Sequence, residues 1–150
     1  MSHLPSLAVF FVLCTIAASS GAVFSPGPWY DTLAKPSWTP PQWVFPTVWT
    51  ILYVMIAIAG WLVWRAQGPG TLLWIWGLQL VLNAAWSAIM FGAQRVGWAF
   101  VELTALWLSV ALFTVLAWTQ VPAAAYLFLP YLAWVTAAGA LNWGVLRLNP

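Results

Sequence analysis

Five stretches of predominantly apolar residues, each about 20 residues long, follow one another along this chain of 150 residues. About 20 apolar residues are what a helix needs to cross the hydrocarbon core of a bilayer. The strands of a membrane β-barrel would instead alternate apolar and polar residues, and the sequence has no such alternation. Gly, Pro and polar residues separate the stretches, as is usual where helices end. We therefore predict one domain, an all-α bundle of five transmembrane helices at Leu4–Phe24, Val44–Trp64, Thr71–Phe91, Trp98–Trp118 and Ala123–Leu146.

The charge content excludes an ordinary soluble domain. Charged residues make up 4% of the chain, whereas soluble domains carry about 25%, so most of the outer surface must face lipid. The basic residues are scattered, and phosphate binding needs them clustered, so no nucleic-acid partner is expected. The single histidine, His3, lies close to the N-terminus, which leaves no His-based metal site or catalytic triad. We expect no metal, no required cofactor and no conventional enzyme chemistry.

The first stretch has two interpretations, a retained span or a cleaved secretory signal. Small residues at Ala17, Ala18 and Ser19 resemble a cleavage site. Signal peptides begin with Lys or Arg, however, and here only His3 precedes the apolar run. We therefore interpret this stretch as a retained span. Its cysteine, Cys14, is the only one in the chain and can form no intrachain disulfide.

The connection between the first two stretches, residues 25–43, is long and unusually stiff. It contains five prolines and the large aromatic residues Trp29, Tyr30, Trp38 and Trp43. Proline restricts the backbone, and large aromatic side chains settle at the membrane–water interface. We therefore predict a Pro/Trp-rich, semi-rigid lid over one end of the bundle.

Basic residues are unevenly divided between the two ends of the predicted bundle. The lid end holds Lys35, Arg95 and Arg147, whereas the opposite end holds Arg65. Cytoplasmic segments of membrane proteins carry the excess of Lys and Arg. The lid and the C-terminus are therefore predicted to be cytoplasmic.

Polar side chains recur on one face of the third stretch. Gln79, Asn83 and Ser87 are spaced by four residues, which places them on the same side of a helix. They could form hydrogen bonds between helices, worth about 0.6–2 kcal/mol each in a membrane, or they could line a ligand site. Aromatic, small and amide side chains of two other stretches lie in the same half of the membrane or near its middle: Trp49, Tyr53, Trp134, Ala138 and Asn142. This combination predicts an apolar pocket for a flat hydrophobic ligand.

Two further features of the spans have open interpretations. Glu102 is the only acid within a stretch, and it either has a functional role or reaches the lipid headgroups from about one turn inside the helix. Ala84, Ala88 and Gly92 recur every four residues, which permits close approach of another helix. That helix belongs either to a second copy of the chain, giving a homodimer, or to the same bundle.

The motifs, taken in order, resemble the translocator protein family, also called the tryptophan-rich sensory protein or peripheral-type benzodiazepine receptor family. The strongest piece is WYDTLAKPSWTPPQWVFPTVWTILY at residues 29–53, which reproduces the family's pattern of WY, KP, W, PP, P, W and LY. QLVLNAAW at 79–86, FG at 91–92, GWA at 97–99 and LPYLAWVTAAGALN at 129–142 follow. The resemblance covers nearly the whole chain. It implies five helices, a first loop that caps a cavity, frequent dimers and a bacterial-type member in a cell membrane.

For function, the resemblance implies binding of porphyrins such as protoporphyrin IX or related haem tetrapyrroles, for transport, sensing or disposal. It also implies binding of sterols and of isoquinoline or benzodiazepine drugs. By matching positions it assigns to the pocket Tyr30, Trp49, Asn83, Trp98, Trp134, Ala138 and Leu141. The family's sterol pattern corresponds to Leu141, Trp143 and Arg147, with Trp143 where the family has Tyr.

Two alternatives to a binding protein remain open at this stage. Some bacterial members are linked to light- and oxygen-dependent porphyrin breakdown, and Trp49 and Trp134 match the indoles implicated in it. The other alternative is a non-catalytic membrane scaffold.

Overall fold

The computed structural model describes residues 3–150, which fold into six α-helices and contain no strand. Five of the helices are long and apolar enough to cross a membrane, which confirms the predicted all-α fold with five spans. The elements, in chain order, are α1 Leu4–Val23, the short α2 Pro28–Thr32, α3 Val44–Gln67, α4 Thr71–Ser87 with a π-helical turn Ala88–Gly92, α5 Val96–Gln120 and α6 Pro122–Leu148.

The helix ends follow local signals, and several lie beyond the predicted apolar stretches. α3 continues past Arg65 to Gln67 and ends at Gly68, whose φ of 69° combined with a ψ of −154° is a conformation essentially restricted to glycine. α6 begins at Pro122, where the missing N–H costs no hydrogen bond. The apolar stretches therefore mark where each helix crosses the lipid, and several helices extend beyond these stretches into the interface.

The five long helices form a closed ring. α1 packs against α3 and α4, α6 packs against α3 and α5, and α4 packs against α5. The order around the ring is therefore α1, α3, α6, α5, α4. α1 lies between α3 and α4 on the outside, while α3 and α4 also touch directly across the interior. The interior of this ring differs between its two ends.

The end of the ring opposite residues 24–43 is filled with side chains. Ile56, Phe113 and Phe128 have no exposed surface, and the rings of Phe113 and Phe128 lie 4.0 Å apart. Trp76 lies directly on Gly60, where a Cβ atom would overlap the indole, and its Nε1 donates a hydrogen bond to the Ile56 carbonyl at 2.9 Å. This half of the bundle is a close-packed core.

Within the chain itself, α1 covers the stripe of small residues on α4. The Ser20 hydroxyl donates a hydrogen bond to the Ala84 carbonyl at 2.5 Å, and Phe24 packs on Gly92, where a Cβ atom would lie 2.8 Å from the ring. Packing within one bundle, one of the two interpretations of this stripe, is therefore present at Ala84 and Gly92. A homodimer through Ala84, Ala88 and Gly92 stays a prediction.

The outward faces of the ring are apolar. Large exposed side chains occur on every long helix, among them Val12, Ile16, Ile51, Trp74, Val81, Leu108, Val115 and Leu129. In water such a surface would aggregate, whereas in a bilayer it faces acyl chains. The chain is an integral multi-pass membrane protein.

Candidate ligand cavity

The end of the ring nearest residues 24–43, called here the connecting segment, encloses a cavity of about 790 Å³. All five long helices and the connecting segment contribute to its wall. Volumes of about 300–1,000 Å³ are typical of small-molecule sites. This central cavity is lined by nearly all the side chains predicted for a pocket, namely Tyr30, Trp49, Tyr53, Asn83, Ser87, Trp134, Ala138, Leu141 and Asn142.

A chain of hydrogen bonds closes the cavity toward the packed half. The Tyr53 hydroxyl donates to Asn83 Oδ1 at 2.7 Å, and Asn83 Nδ2 donates to the Tyr131 hydroxyl at 2.7 Å. The Tyr131 hydroxyl in turn donates to Gln79 Oε1 at 2.7 Å. Gln79 and Tyr131 have no exposed surface. This floor network ties α3, α4 and α6 together at one depth.

The polar stripe of α4 serves both of the purposes that its spacing left open. Gln79 lies below the cavity and bonds only within the floor network, whereas Ser87 lies in the cavity wall. Asn83, between them, bonds to both tyrosines and lines the cavity. Depth along the helix therefore decides whether a stripe residue joins helices or faces the ligand space.

Aromatic rings surround the floor. The ring of Trp49 lies 5.7 Å from that of Tyr53 and 6.2 Å from that of Tyr131, and the ring of Phe45 packs edge-on against Trp134 at 5.8 Å. Trp49, Phe45 and Trp134 all line the central cavity. Such rings offer flat apolar faces to a planar ligand.

The side wall is fixed by a second set of hydrogen bonds. Trp86 Nε1 donates to Asn142 Oδ1 at 3.1 Å, and Asn142 Nδ2 donates to the Val96 carbonyl at 3.1 Å. These bonds connect α4, α6 and the first turn of α5. Asn142, predicted as a ligand contact, is buried, and the oxygen and the nitrogen of its side-chain amide are each already bonded within the protein.

The π-helical turn at the end of α4 widens the helix beside the cavity. Its hydrogen bond runs from the Ala93 N–H to the Ala88 carbonyl at 2.8 Å, five residues back. The turn brings two adjacent residues, Met90 and Phe91, to the cavity wall. Sequence periodicity could not find this feature, because it departs from the helical repeat on which the prediction depends.

The connecting segment forms the roof and contacts the bundle at three points. Tyr30 of α2 lines the cavity, and its ring packs edge-on against Phe91 at 5.4 Å. Asn149, just after α6, accepts a hydrogen bond from the Ala34 N–H at 2.9 Å and donates one to the Ala34 carbonyl at 2.8 Å. Pro36 packs on Gly144 of α6, where a Cβ atom would overlap the proline ring.

The roof also holds the charged groups closest to the cavity. The Lys35 ammonium lies 4.5 Å from the centre of the Tyr30 ring, a cation–π contact, and Asp31 lines the cavity. Burial raises the pKa of the Tyr30 phenol, and the neighbouring Asp31 carboxylate raises it further. Both effects favour the neutral phenol, so Tyr30 lines the cavity as an uncharged side chain.

Trp98 lies outside the cavity, in contrast to the position that the resemblance assigns to it. It belongs to the first turn of α5, where Ala99 and Leu103 face the interior and Trp98 is 66% exposed. Adjacent helical residues point about 100° apart, so Ala99 and Trp98 cannot both face inward. This assignment of Trp98 to the pocket is not supported by the geometry.

The three residues of the sterol pattern do not share a surface. Leu141 lines the central cavity, whereas Trp143 and Arg147 are exposed on the outer face of α6. The Trp143 ring packs against Phe100 at 5.2 Å. Two residues along a helix rotate the side chain by about 200°, which separates Leu141 from the other two.

Glu102 of α5 does not line the cavity. Both of its carboxylate oxygens are buried, and neither has a hydrogen-bond partner among residues 3–150. In this conformation the side chain does not extend to the headgroups. Within the same part of the chain, no three His, Cys, Asp or Glu side chains lie close enough to share a metal ion.

Sequence reasoning missed the whole contribution of α1 to the site. Phe11, Cys14, Ala18 and Ala22 line the cavity. α1 has no polar stripe that would mark an inward face, and its place between α3 and α4 is a property of the ring that local patterns do not contain. Trp86 was also missed, although it lies between the two stripe residues Asn83 and Ser87.

A ring of five membrane-spanning helices around an aromatic cavity, with a hydrogen-bonded floor and an attached roof, defines a membrane protein with an internal cavity of small-molecule size. Residues 8–148 match the TspO/MBR family. The chain is 44% identical over 147 residues to protein CrtK of Rhodobacter capsulatus, with 95% of this chain and 92% of that protein covered.

Two further relatives, one bacterial and one human, are similar to this chain over most of its length. The tryptophan-rich sensory protein of Cereibacter sphaeroides is 41% identical over 141 residues, covering 93% of this chain and 89% of the relative. The human translocator protein is 45% identical over 127 residues, covering 81% of this chain and 75% of the relative. The chain belongs to the TspO/MBR family.

Proposed function

We propose that this protein binds flat hydrophobic ligands of the porphyrin type, such as protoporphyrin IX, in the central cavity, for transport, sensing or disposal of tetrapyrroles. The observation that carries the proposal is the cavity itself: about 790 Å³, lined by aromatic side chains and placed within one half of the membrane span. The names of the relatives, a sensory protein and a translocator protein, agree with a ligand-dependent role.

The environment of the cavity determines what kind of interaction can select a ligand. A hydrophobic ligand is already dissolved in lipid, so its transfer from the bilayer into the cavity gains little from the hydrophobic effect. Selection must therefore come from close packing on rings such as Trp49 and from polar groups of the cavity wall such as Tyr30 and Ser87. A planar molecule with polar edges satisfies both requirements, whereas a plain hydrocarbon chain satisfies neither.

Quenching of tryptophan fluorescence by protoporphyrin IX in detergent tests this proposal. We expect saturable quenching with the native chain and a loss of saturation with Trp49→Phe combined with Asn83→Ala, since these remove a stacking ring and the centre of the floor network. Trp74→Phe, an exposed indole outside the cavity, is the matched control and should leave the affinity unchanged. Saturable quenching that survives the double substitution would refute the site.

A second candidate function is light- and oxygen-dependent degradation of the bound porphyrin, with molecular oxygen as the oxidant. Its supporting observation is that Trp49 and Trp134 both line the cavity, with two tyrosine rings about Trp49. Illumination in air should convert the pigment to a new absorbing species, and Trp134→Phe should stop the conversion. Equally fast bleaching of protoporphyrin IX in empty micelles would refute it.

We also propose that the protein lies in a bacterial cell membrane with the connecting segment and the C-terminus in the cytoplasm. Lys35, Arg95 and Arg147 at that end, against Arg65 at the other, support this orientation under the positive-inside rule. An alkaline phosphatase fusion at the C-terminus should be inactive, because the enzyme needs the periplasm. An active fusion would reverse the proposed orientation.

A further inference from the structure

A second hollow lies on the outer surface of the ring, between α3 and α6. This outer groove has a volume of about 400 Å³, and its walls are apolar side chains, including Val48, Ile51, Met55, Pro130, Ala133 and Trp134. Ile51 and Ala133 are exposed on the surface that faces lipid. Both walls come from within membrane-spanning helices, so the groove opens into the hydrocarbon region.

The chemistry of the groove restricts what can fill it. Among residues 3–150 the lining side chains are apolar, and the one N–H among them, that of the Trp134 indole, is buried. A ligand with carboxylate or pyrrole nitrogen groups would therefore leave them without hydrogen bonds in hydrocarbon. The acyl tail of a membrane lipid has no such groups and is present at high concentration in the surrounding bilayer. A hydrocarbon tail is therefore the occupant that the groove favours.

Trp134 lines both the outer groove and the central cavity. Its indole nitrogen is buried and has no hydrogen-bond partner in the part of the chain that the structure describes, whereas Trp76 and Trp86 each donate a hydrogen bond within the bundle. The ring is therefore positioned by packing alone, with Phe45 on the cavity side. Whatever fills the groove supports the ring from behind.

Pro130 lies one turn before Trp134 in the middle of α6. A proline inside a helix cannot donate to the carbonyl four residues earlier, which weakens that turn of the helix. The missing hydrogen bond belongs to the turn between Tyr126 and Pro130, so α6 can bend just before Trp134. Packing at the groove then has more influence on where the indole lies.

We propose that the outer groove holds one acyl tail of a membrane lipid, and that this tail, by supporting Trp134, sets the affinity of the central cavity for its ligand. The part concerning affinity rests on the proposed porphyrin-binding function, whereas occupancy of the groove does not. With the tail in place, the indole is held in its cavity-lining position before the ligand arrives, which lowers the cost of binding. With the groove loosened, the ring moves outward and the ligand loses a stacking partner.

The occupancy is tested by ¹⁹F NMR of protein labelled with 5-fluorotryptophan in lipid nanodiscs. The Trp134 resonance is identified by its loss in Trp134→Phe, and a lipid carrying a nitroxide in the middle of its acyl chain serves as the probe. We expect the nitroxide to broaden this resonance and Ala133→Phe, which fills the groove, to relieve the broadening. Ala105→Phe, on an exposed face of α5, is the matched control and should not relieve it. A Trp134 resonance that is not broadened, or that stays broadened in Ala133→Phe, would overturn the site.

The coupling is tested by the dissociation constant for protoporphyrin IX in nanodiscs. Met55→Ala enlarges the groove and should weaken binding about fivefold, the lower end of typical couplings between sites, whereas Ala133→Phe should retain the native affinity. Ile51→Ala enlarges the groove from an exposed position and provides the same test if Met55→Ala fails to fold. Native affinity in both enlarging variants would overturn the coupling. If the native chain shows no saturable binding of protoporphyrin IX, the proposed porphyrin-binding function is refuted instead. The NMR experiment would still show whether an acyl tail occupies the groove.

Discussion

The two halves of the helix ring contain similar side chains but use their small residues in opposite ways. In the packed half, Gly60 faces a large side chain, Trp76, so the missing Cβ lets the indole fill the interior. In the half beneath the connecting segment, Ala18, Ala22 and Ala138 line open space together with aromatic rings on the wall. A small residue therefore opens a cavity only where no large side chain from another helix occupies the space that it leaves.

The largest expected effect comes from breaking the packed half. Gly60→Ala places a Cβ atom against the buried Trp76 indole and the Phe10 ring, and we expect a loss of about 3 kcal/mol of unfolding free energy. Thermal unfolding followed by circular dichroism in detergent measures it. Gly77→Ala is the matched control, since nothing lies within 4 Å of its added Cβ, and it should be neutral or stabilise by up to about 1 kcal/mol. Equal stability of the two variants would contradict the packing described for this half.

A large side chain added in the open half should weaken ligand binding and leave the stability unchanged, the opposite of the effect expected in the packed half. Ala138→Phe projects a ring into the central cavity, and we expect protoporphyrin IX to bind about thirtyfold more weakly, close to 2 kcal/mol, with unchanged thermal unfolding. Ala140→Phe on the same helix is exposed and serves as control, with native affinity expected. A large loss of stability in Ala138→Phe would mean that this half has no free space.

The floor network between the halves should give an intermediate effect. Tyr131→Phe removes one hydrogen bond to Asn83 and one to Gln79, which should cost about 1–2 kcal/mol of unfolding free energy. Tyr53→Phe removes only the bond to Asn83 and should cost about half as much. Urea or detergent denaturation of both variants measures the difference. A larger cost for Tyr53→Phe would show that the network does not have the order described.

The smallest effect is expected at the roof. Asn149→Ala removes both hydrogen bonds to Ala34, which lie at an exposed position, so stability should change by no more than about 0.5–1 kcal/mol. Because one attachment of the connecting segment is lost, ligand dissociation measured by stopped-flow fluorescence should become about threefold faster. An unchanged dissociation rate would indicate that the connecting segment does not retain the ligand.

Features that depend on one short stretch of the sequence could be predicted, whereas features that depend on contacts between distant stretches could not. The five spans follow from apolar length, and the alignment of Gln79, Asn83 and Ser87 follows from helical repeat, so both were accessible. The position of α1 in the ring, the assembly of Tyr131 into the floor network and the π-helical turn depend on which helices meet. Trp98 was assigned by resemblance, and the rotation of α5 places it outside.

The most direct test of the account is a crystal structure with zinc protoporphyrin IX, located by the anomalous scattering of its zinc ion. We expect the zinc peak within the central cavity, above Asn83 and between the rings of Trp49 and Trp134. A peak on the lipid-facing surface of the ring, with the space beneath the connecting segment filled by side chains, would contradict it.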